Sequence, residues 1–416
     1  MYKEICKCRV CGNENLQTIV NLGMQKLTGI FPKKGEDIPE GPLELVKCVA
    51  RGEEKVCGLV QLRHSCEGNE MYGENYGYRS GLNSSMVHHL KEITDEIKEK
   101  ITLKQGDMVI DIGSNDSTLL RGYNLEGIDY VGMDPTGNKF RKYYPAYVEL
   151  VPDFFSAENV FRIREKKKAK VITSIAMFYD LEEPIKFARD ICSVLDDEGL
   201  WILEQSYLPA MLEANSYDTI CQEHLEFYCL AQIEWIVNLA GLKVIDVVEN
   251  DINGGSFRIT VAKKESDYRE NENVLKMRSY ELEMGYDKLD VFISFKENIE
   301  KQKKDVLEFL ERAKREGKKV YGYGASTKGN VLLQYCGITS KDIIAIAEVN
   351  EDKFGCVTPG TGIPIISEDE AKKDKPDYFM VLPWHFRENI LEKEKEYLKE
   401  SKCAFVFPLP TFEVVQ

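Results

Sequence analysis

Cys221-Gln222-Glu223-His224, inside the stretch TICQEHLEFYC, sets a carboxylate beside one of only five histidines in the chain. An unperturbed histidine titrates near neutral pH. His224 could therefore take a proton from an oxygen or carbon acid and make it nucleophilic, with Glu223 orienting the ring or serving in its place. The competing reading is packing, in which a backbone carbonyl satisfies the ring in an aromatic setting. Tyr72, Tyr76 and Tyr78, in MYGENYGYRSG, form a second group. They either pack under the segment before them or hold a sugar or adenine ring.

Asp111-Ile-Gly113-Ser-Asn115-Asp116 follows an apolar run and has one glycine in its tight turn. A pyrophosphate fingerprint wants three glycines so that the backbone can approach closely, so this loop suits a ligand without phosphates. Asp134 ends the next apolar run, where it can accept hydrogen bonds from ribose hydroxyls at the carboxyl edge of a parallel sheet. Acidic side chains here favour a cationic ligand, and adenosine with a sulfonium tail meets both conditions. Asp111, Gly113, Asn115, Asp116 and Asp134 are the cofactor-binding candidates. Farther on, YGYGASTKGN joins a strand to a helix. There Gly324, Ser326, Lys328 and Asn330 could hold a phosphate at the helix N-terminus; the alternative is a tight turn serving packing alone. His385, in PWHFR, has no assigned role.

Six of the twelve cysteines lie in the first 66 residues. The N-terminus has no apolar stretch of signal-peptide length, so a cytoplasmic location is expected, where bunched thiols read as metal ligands rather than disulfides. Cys8-x-x-Cys11 is half of a zinc knuckle. Cys48 and Cys57 supply an irregular second half, with eight residues between them, and Cys6 or Cys66 could substitute for a ligand. Four thiolates would close a structural zinc site for a module with a thin core, whereas catalysis would need an open position.

The elements that must position these groups follow from the hydrophobic pattern. A length of 416 residues, at about 150 per domain, suggests two to three domains. A net charge of −15 and a pI near 5.1 argue against nucleic acid or an anionic membrane as the main partner. No stretch approaches the roughly 18 apolar residues of a membrane span. Residues 1–82 read as a zinc-binding module ending in the tyrosine-rich loop. Residues 83–265 read as an α/β unit in which MVIDIG, YVGMD, AKVITSIAMF and LWILEQS are strands of a mostly parallel sheet. A helix capped by Asn83 or Ser84 opens this unit, with His88 and His89 on its surface. LKVIDVVEND and SFRITVAKK close it as a hairpin around NGG. Residues 266–317 read as connecting helices, and 318–416 as a smaller parallel α/β unit.

A doubly wound sheet closed by an antiparallel hairpin is the arrangement of class I methyltransferases. Together with the cysteine module, YGYRSG, VIDIGSNDSTLL, TICQEHLEFY, NGGSF and YGYGASTKGN, the chain resembles the three-domain sugar C-methyltransferases that act on nucleotide-linked keto-deoxysugars. The resemblance spans essentially the whole chain. It implies an N-terminal zinc domain, an S-adenosylmethionine domain and a C-terminal Rossmann-like domain that helps bind the nucleotide sugar, in a monomer or small homo-oligomer. In that family the tetrad reads Tyr-His-Glu-His, and its last histidine is proposed as the base that removes the proton beside the ketone. Glu223 and His224 match; Cys221 and Gln222 do not, so no phenol stands at that place. Tyr76 and Tyr78 occupy positions similar to a substrate-contact tyrosine, and Tyr78, Gln222 or a backbone N–H near Gly254 and Gly255 are candidate donors to the enolate oxygen. O-methylation of a nucleotide-linked sugar, a nicotinamide oxidoreductase and a non-enzymatic scaffold are the competing readings.

Overall fold

The computed structural model describes residues 2–66 and 79–416. Tyr72, Tyr76 and Tyr78 lie outside the described residues. Met108–Ile112 is buried along its whole length, as expected of a strand covered on both faces. It lies inside a seven-stranded sheet with the order Leu242–Asn250, Ser256–Lys263, Leu195–Ser206, Ala169–Ile175, Met108–Ile112, Asp129–Met133, Val148–Val151. The last five of these are mutually parallel, and the strand Ser256–Lys263 runs antiparallel to both of its neighbours. The reversal of strand order on either side of Met108–Ile112 opens a crevice at the carboxyl ends of the strands, where ligands of such sheets bind.

The C-terminal sheet has six strands, in the order Ile365–Ser367, Ile346–Glu348, Val320–Tyr323, Tyr378–Val381, Ala404–Phe407, Glu413–Val415, parallel except for the last. Between the two sheets runs the helix Asp290–Arg315, which buries Phe292, Phe295, Ile299, Val306, Phe309, Leu310 and Ala313 along one stripe.

The N-terminal module is an antiparallel sheet of Leu16–Lys26, Glu40–Cys48 and Val60–Leu62. Its fourth strand, Glu226–Phe227, comes from the segment directly after His224. Among the described residues, the module's buried side chains divide between two larger cores. Cys8, Val10, Cys48, Cys57 and Leu59 pack with the strands of the central sheet, whereas Ile19, Val20, Leu43, Leu45 and Val60 pack with the C-terminal sheet and the long helix. A thin module is thus stabilised by two neighbours as well as by its thiols.

Asn83 caps the helix Ser84–Lys100, accepting from the Ser85 N–H. His88 is exposed beside Glu92. His89, expected on the surface, is instead buried. It shares a face with Ile93 and Ile97, four and eight residues on, and that face is pressed against the sheet. Its Nε2 lies 2.5 Å from Glu204 Oε1, while Glu204 Oε2 accepts from Asn250 Nδ2 at 2.9 Å and Arg258 Nη1 at 3.2 Å. Removing the cation from such a buried group leaves a charge uncompensated. Arg258→Met is expected to destabilise the fold by about 3 kcal/mol, read from the urea midpoint, whereas His88→Ala should stay within about 0.5 kcal/mol.

Candidate functional site

The loop after Met108–Ile112 turns at Gly113, whose φ is +71° and where a Cβ would come within 3.3 Å of Met177. Asn115 and Ser117 also adopt positive φ, 48° and 61°, without being glycine, and side chains hold this strained run in place. Asp134, from the neighbouring strand, accepts the Asn115 N–H at 2.8 Å on one oxygen. Its other oxygen accepts the Thr136 N–H at 2.7 Å and hydroxyl at 2.6 Å. Tyr144 donates to the Asn115 carbonyl at 2.8 Å and touches Ser114 Oγ at 2.7 Å. Asp116 Oδ2 accepts the Gly81 N–H at 3.1 Å, and Asn115 Oδ1 accepts the Ser80 N–H at 3.0 Å. The segment that follows the tyrosine-rich stretch is therefore pinned onto the loop. Asp111 is buried and accepts from Thr173 Oγ1 at 2.6 Å. Burial, helped by Asp134 and opposed by the Thr173 bond, pushes its carboxyl up to about 7.

This cradle fits S-adenosylmethionine. A Cβ on Gly132 would lie 2.7 Å from Ser114 Oγ, so a glycine there lets the Ser114 side chain pack against the neighbouring strand. Asp134 already accepts three hydrogen bonds within the loop, which leaves one acceptor position for a ribose hydroxyl, and the acidic set suits a cation.

Farther along the same edge, His224 Nδ1 lies 2.9 Å from the Thr219 carbonyl. A carbonyl only accepts, so Nδ1 carries the proton and Nε2 presents its lone pair. The carbonyl, and not Glu223, orients the ring. Tyr179 meets the imidazole edge-on, with centroids 4.5 Å apart. The small cavity at this place is lined by Tyr179, Ser206, Thr219, His224, Glu226 and Phe227, among others. Burial lowers the His224 pKa to about 4; the Thr219 bond opposes this, and the Lys328 charge adds to it.

The other members of the tetrad face elsewhere. Gln222 donates to the Gln25 carbonyl at 3.2 Å and accepts from Thr28 Oγ1 at 3.4 Å, so its amide joins two parts of the chain. Cys221 is buried in the apolar cluster. Glu223 Oε1 sits where a Cβ on Gly29 would fall within 2.5 Å, and its Oε2 has no hydrogen-bond partner among the described residues. Burial raises its pKa.

In the C-terminal unit, Ser326 caps the helix Thr327–Cys336 by accepting the Gly329 N–H at 3.0 Å. Gly324, at φ +80°, turns against Pro383. Lys328 reaches back to the central unit, donating to the Asn253 carbonyl at 2.7 Å. A Cβ on Gly254 would be 3.8 Å from Lys328 Nζ and 3.8 Å from His385 Cβ, so these residues converge. Burial, reinforced by Lys328, lowers His385 to about 3. Asn330 is buried and donates to the Thr28 carbonyl at 2.8 Å, which turns it toward the N-terminal segment. Sequence reasoning missed Tyr144, Tyr179, Ser206 and Glu226. Ser206 ends its strand and Tyr179 stands four residues beyond another, and that position at the carboxyl edge alone would have flagged them.

The Sγ atoms of Cys8, Cys11, Cys48 and Cys57 all lie within 4.8 Å of one another. The Cys8–Cys57 and Cys11–Cys48 separations are both 3.5 Å. A tetrahedron with Zn–S bonds of about 2.3 Å has edges of about 3.8 Å, so the set fits zinc. Asn13 Nδ2 donates to Cys48 Sγ at 3.2 Å, an outer-shell contact to a ligand. Cys6 is exposed, and neither it nor Cys66 joins the cluster. Among the described residues no helix is long and apolar enough to cross a membrane. One zinc per chain is expected by elemental analysis. Cys48→Ser should lower the melting temperature sharply, and Cys6→Ser should leave it unchanged.

Three family models match the chain in succession: "Putative zinc binding domain" over residues 8–72, "Methyltransferase domain" over 86–247 and "C-methyltransferase C-terminal domain" over 251–410. The chain is 30% identical to the C-methyltransferase NovU of Streptomyces niveus over 419 residues, covering 99% of this chain and 97% of that protein. Among solved structures, the plantazolicin methyltransferase BpumL superposes on 45% of this chain and 88% of its own, at 12% identity and a TM-score of 0.36. The CcbJ methyltransferase of Streptomyces caelestis covers 42% of this chain and 89% of its own, at 11% identity and a TM-score of 0.33.

Proposed function

Because the chain belongs to the S-adenosylmethionine-dependent C-methyltransferases that carry an N-terminal zinc-binding domain, we propose that it methylates the carbon beside the ketone of a nucleotide-linked keto-deoxysugar, with His224 as the base. The observation that carries this reading is the imidazole itself. It is neutral, fixed by Thr219 at Nδ1, and presents Nε2 at a cavity beside the cofactor edge. When bound, S-adenosylmethionine supplies a methyl group already activated by its sulfonium; Asp134 would hold its ribose, and Asp111, Gly113, Asn115 and Asp116 would form the turn around it.

The protein's part in the reaction is to take a proton from carbon and hold the resulting enolate. A base weakened by burial to a pKa of about 4 abstracts such a proton with useful rate only when placed beside it. Lys328, Ser326 and Gly324, with His385 opposite, would hold the nucleotide's phosphates at the helix start, and Tyr76 and Tyr78 would contact the sugar. Asn330 is assigned here to holding the helix against Thr28. On this reading residues 1–82 form the zinc module, 83–265 the methyl-transfer unit, 266–317 the connection and 318–416 the sugar-nucleotide unit. O-methylation stays as a second reading because Cys221 and Gln222 bring no phenol or imidazole to the pocket.

Mass spectrometry with deuterium on the carbon beside the ketone separates the two, using labelled S-adenosylmethionine and a panel of keto-deoxysugar nucleotides. Loss of the label on methylation is expected, and retention would point to oxygen. His224→Ala should lower kcat by about 10²–10⁴. The acid limb of kcat/KM should fall near pH 4 rather than near 6.5. The folded pKa lies below the unfolded value of 6.5, so the stability linked to His224 is complete above 6.5 and is lost as pH falls through about 4. A limb centred at 6.5 would contradict the neutral, buried imidazole.

A further inference from the structure

The 3₁₀ turn Tyr217–Thr219 carries the carbonyl that holds the His224 ring, and the two residues before that carbonyl are each tied to another part of the chain. The Tyr217 hydroxyl donates to Gln302 Oε1, on the helix Asp290–Arg315, at 2.6 Å. Asp218 is fully buried. Its Oδ2 accepts the Trp384 indole N–H at 2.8 Å, across 166 residues of sequence, and its Oδ1 accepts from Ser216 Oγ at 3.4 Å. An indole nitrogen only donates, so the direction of the long-range bond is fixed.

Trp384 opens the 3₁₀ turn Trp384–Phe386, beyond the strand Tyr378–Val381. The two residues before it press on the strand-to-helix turn of the C-terminal unit: a Cβ on Gly324 would lie 2.7 Å from Pro383 Cγ, and one on Gly329 would lie 2.7 Å from Leu382 Cβ. The residue after it, His385, converges with Lys328 at Gly254. The loop that carries the indole is thus seated on the same glycine turn that carries Lys328.

Stability alone is a poor account of this pair. A carboxylate at that depth bears a desolvation cost that apolar side chains of similar volume would avoid, and a phenylalanine could fill the indole's place without needing an acceptor. What the pair supplies is direction. Asp218 and Thr219 are consecutive in one turn, so a carboxyl pinned at Oδ2 leaves the next carbonyl little freedom to swing away from His224 Nδ1. The Lys328 charge reaches Asp218, His224 and His385 alike, so these groups share one electrostatic neighbourhood.

We propose that Trp384 and Asp218 are positioning residues for the base: the indole N–H clamps the Asp218 carboxyl, and the clamped turn aims the Thr219 carbonyl that keeps the His224 proton on Nδ1 and the lone pair on Nε2. This rests on the reading of His224 as the base. The clamp runs from the loop beside Lys328 and His385 to the imidazole, so the unit proposed to hold the nucleotide also sets the tautomer of the base.

Nitrogen-15 histidine spectra of the full-length, zinc-loaded protein report that tautomer, with the His224 signals assigned by their loss in His224→Ala. Wild type should show Nδ1 protonated and Nε2 bare at neutral pH; the reverse overturns the proposal. Trp384→Phe, which keeps an aromatic ring and removes the N–H, should show a mixture of the two tautomers. With the keto-deoxysugar nucleotide that the panel above shows to be methylated, it should lower kcat about 10²-fold and leave KM nearly unchanged. Asp218→Leu, of similar volume, should match it, whereas Asp218→Asn keeps an oxygen for the indole and should retain the single tautomer and most of kcat. A folded Trp384→Phe or Asp218→Leu that keeps the wild-type tautomer, or keeps kcat, overturns the clamp, and so does an Asp218→Asn that behaves as Asp218→Leu. Full kcat in His224→Ala overturns the base reading and the positioning role with it. A panel with no methylated member overturns the keto-sugar reading alone, since the histidine spectrum needs no substrate. Should Trp384→Phe fail to fold, the Asp218 pair and the wild-type spectrum still decide.

Discussion

Residues 25–29 form a wedge that two parts of the chain grip, and the site depends on it. The Gln25 carbonyl accepts from Gln222, and the Gln25 amide donates to the Val331 carbonyl at 3.4 Å. Gln334 brackets Lys26, accepting its N–H at 2.8 Å and donating to its carbonyl at 3.1 Å. The Thr28 carbonyl accepts from Asn330, and Gly29 makes room for the Glu223 carboxyl. These are buried backbone groups at the end of a strand, each of which must find a partner or incur the cost of desolvation. Side-chain amides supply the partners from both sides. The tetrad and the C-terminal helix are thereby held to the same short segment, and Lys328 cannot shift relative to His224 without breaking several of these bonds.

The zinc site acts through this wedge and not through chemistry. The four thiols fix the ends of the segments that flank the module's sheet, and the sheet presents residues 25–29 to its neighbours. Its fourth strand, Glu226–Phe227, is chain from the central unit. Pairing that strand across the module sets the direction in which residues 224 and 226 point. A closed cysteine cluster can therefore bear on the geometry at His224, because the chain just after that residue is a strand of the module's sheet.

Much of this was legible in the sequence. The runs MVIDIG, YVGMD and LWILEQS are continuous enough in apolar residues to be recognised as covered parallel strands, and the hairpin around NGG lies where the pattern put it. The cysteine ligands were legible despite their irregular spacing, since thiolates need proximity in space and the eight intervening residues simply loop out. The failures are of another kind. His89 was expected in solvent because one histidine beside another on a helix gives no sign of facing; the partner that buries it, Glu204, lies on a strand far along the chain. Asn330 and Gln222 were expected near the substrate, yet their amides are joints between units. Nothing local distinguishes an amide that binds a ligand from one that binds a distant carbonyl.

The tetrad's departure from its family pattern follows from the same geometry. Gln222 and Glu223 sit in a turn that the His224 N–H closes on the Cys221 carbonyl at 3.1 Å. Gln222 meets the wedge at Gln25 and Thr28, while His224 lines the cavity. A residue at 222 can thus be replaced by any side chain that satisfies Gln25 and Thr28 without altering His224, which explains how the second half of the tetrad is kept while the first half differs. The constraint on 224 is of a different order. Its Nδ1 must stay bonded to Thr219 for Nε2 to remain a lone pair, and Thr219 is held in turn by the 3₁₀ turn Tyr217–Thr219, which packs against the C-terminal helix. The tautomer of His224 is therefore set by a backbone carbonyl held in a turn that packs against the third unit, so that the ring's arrangement belongs to the assembled chain.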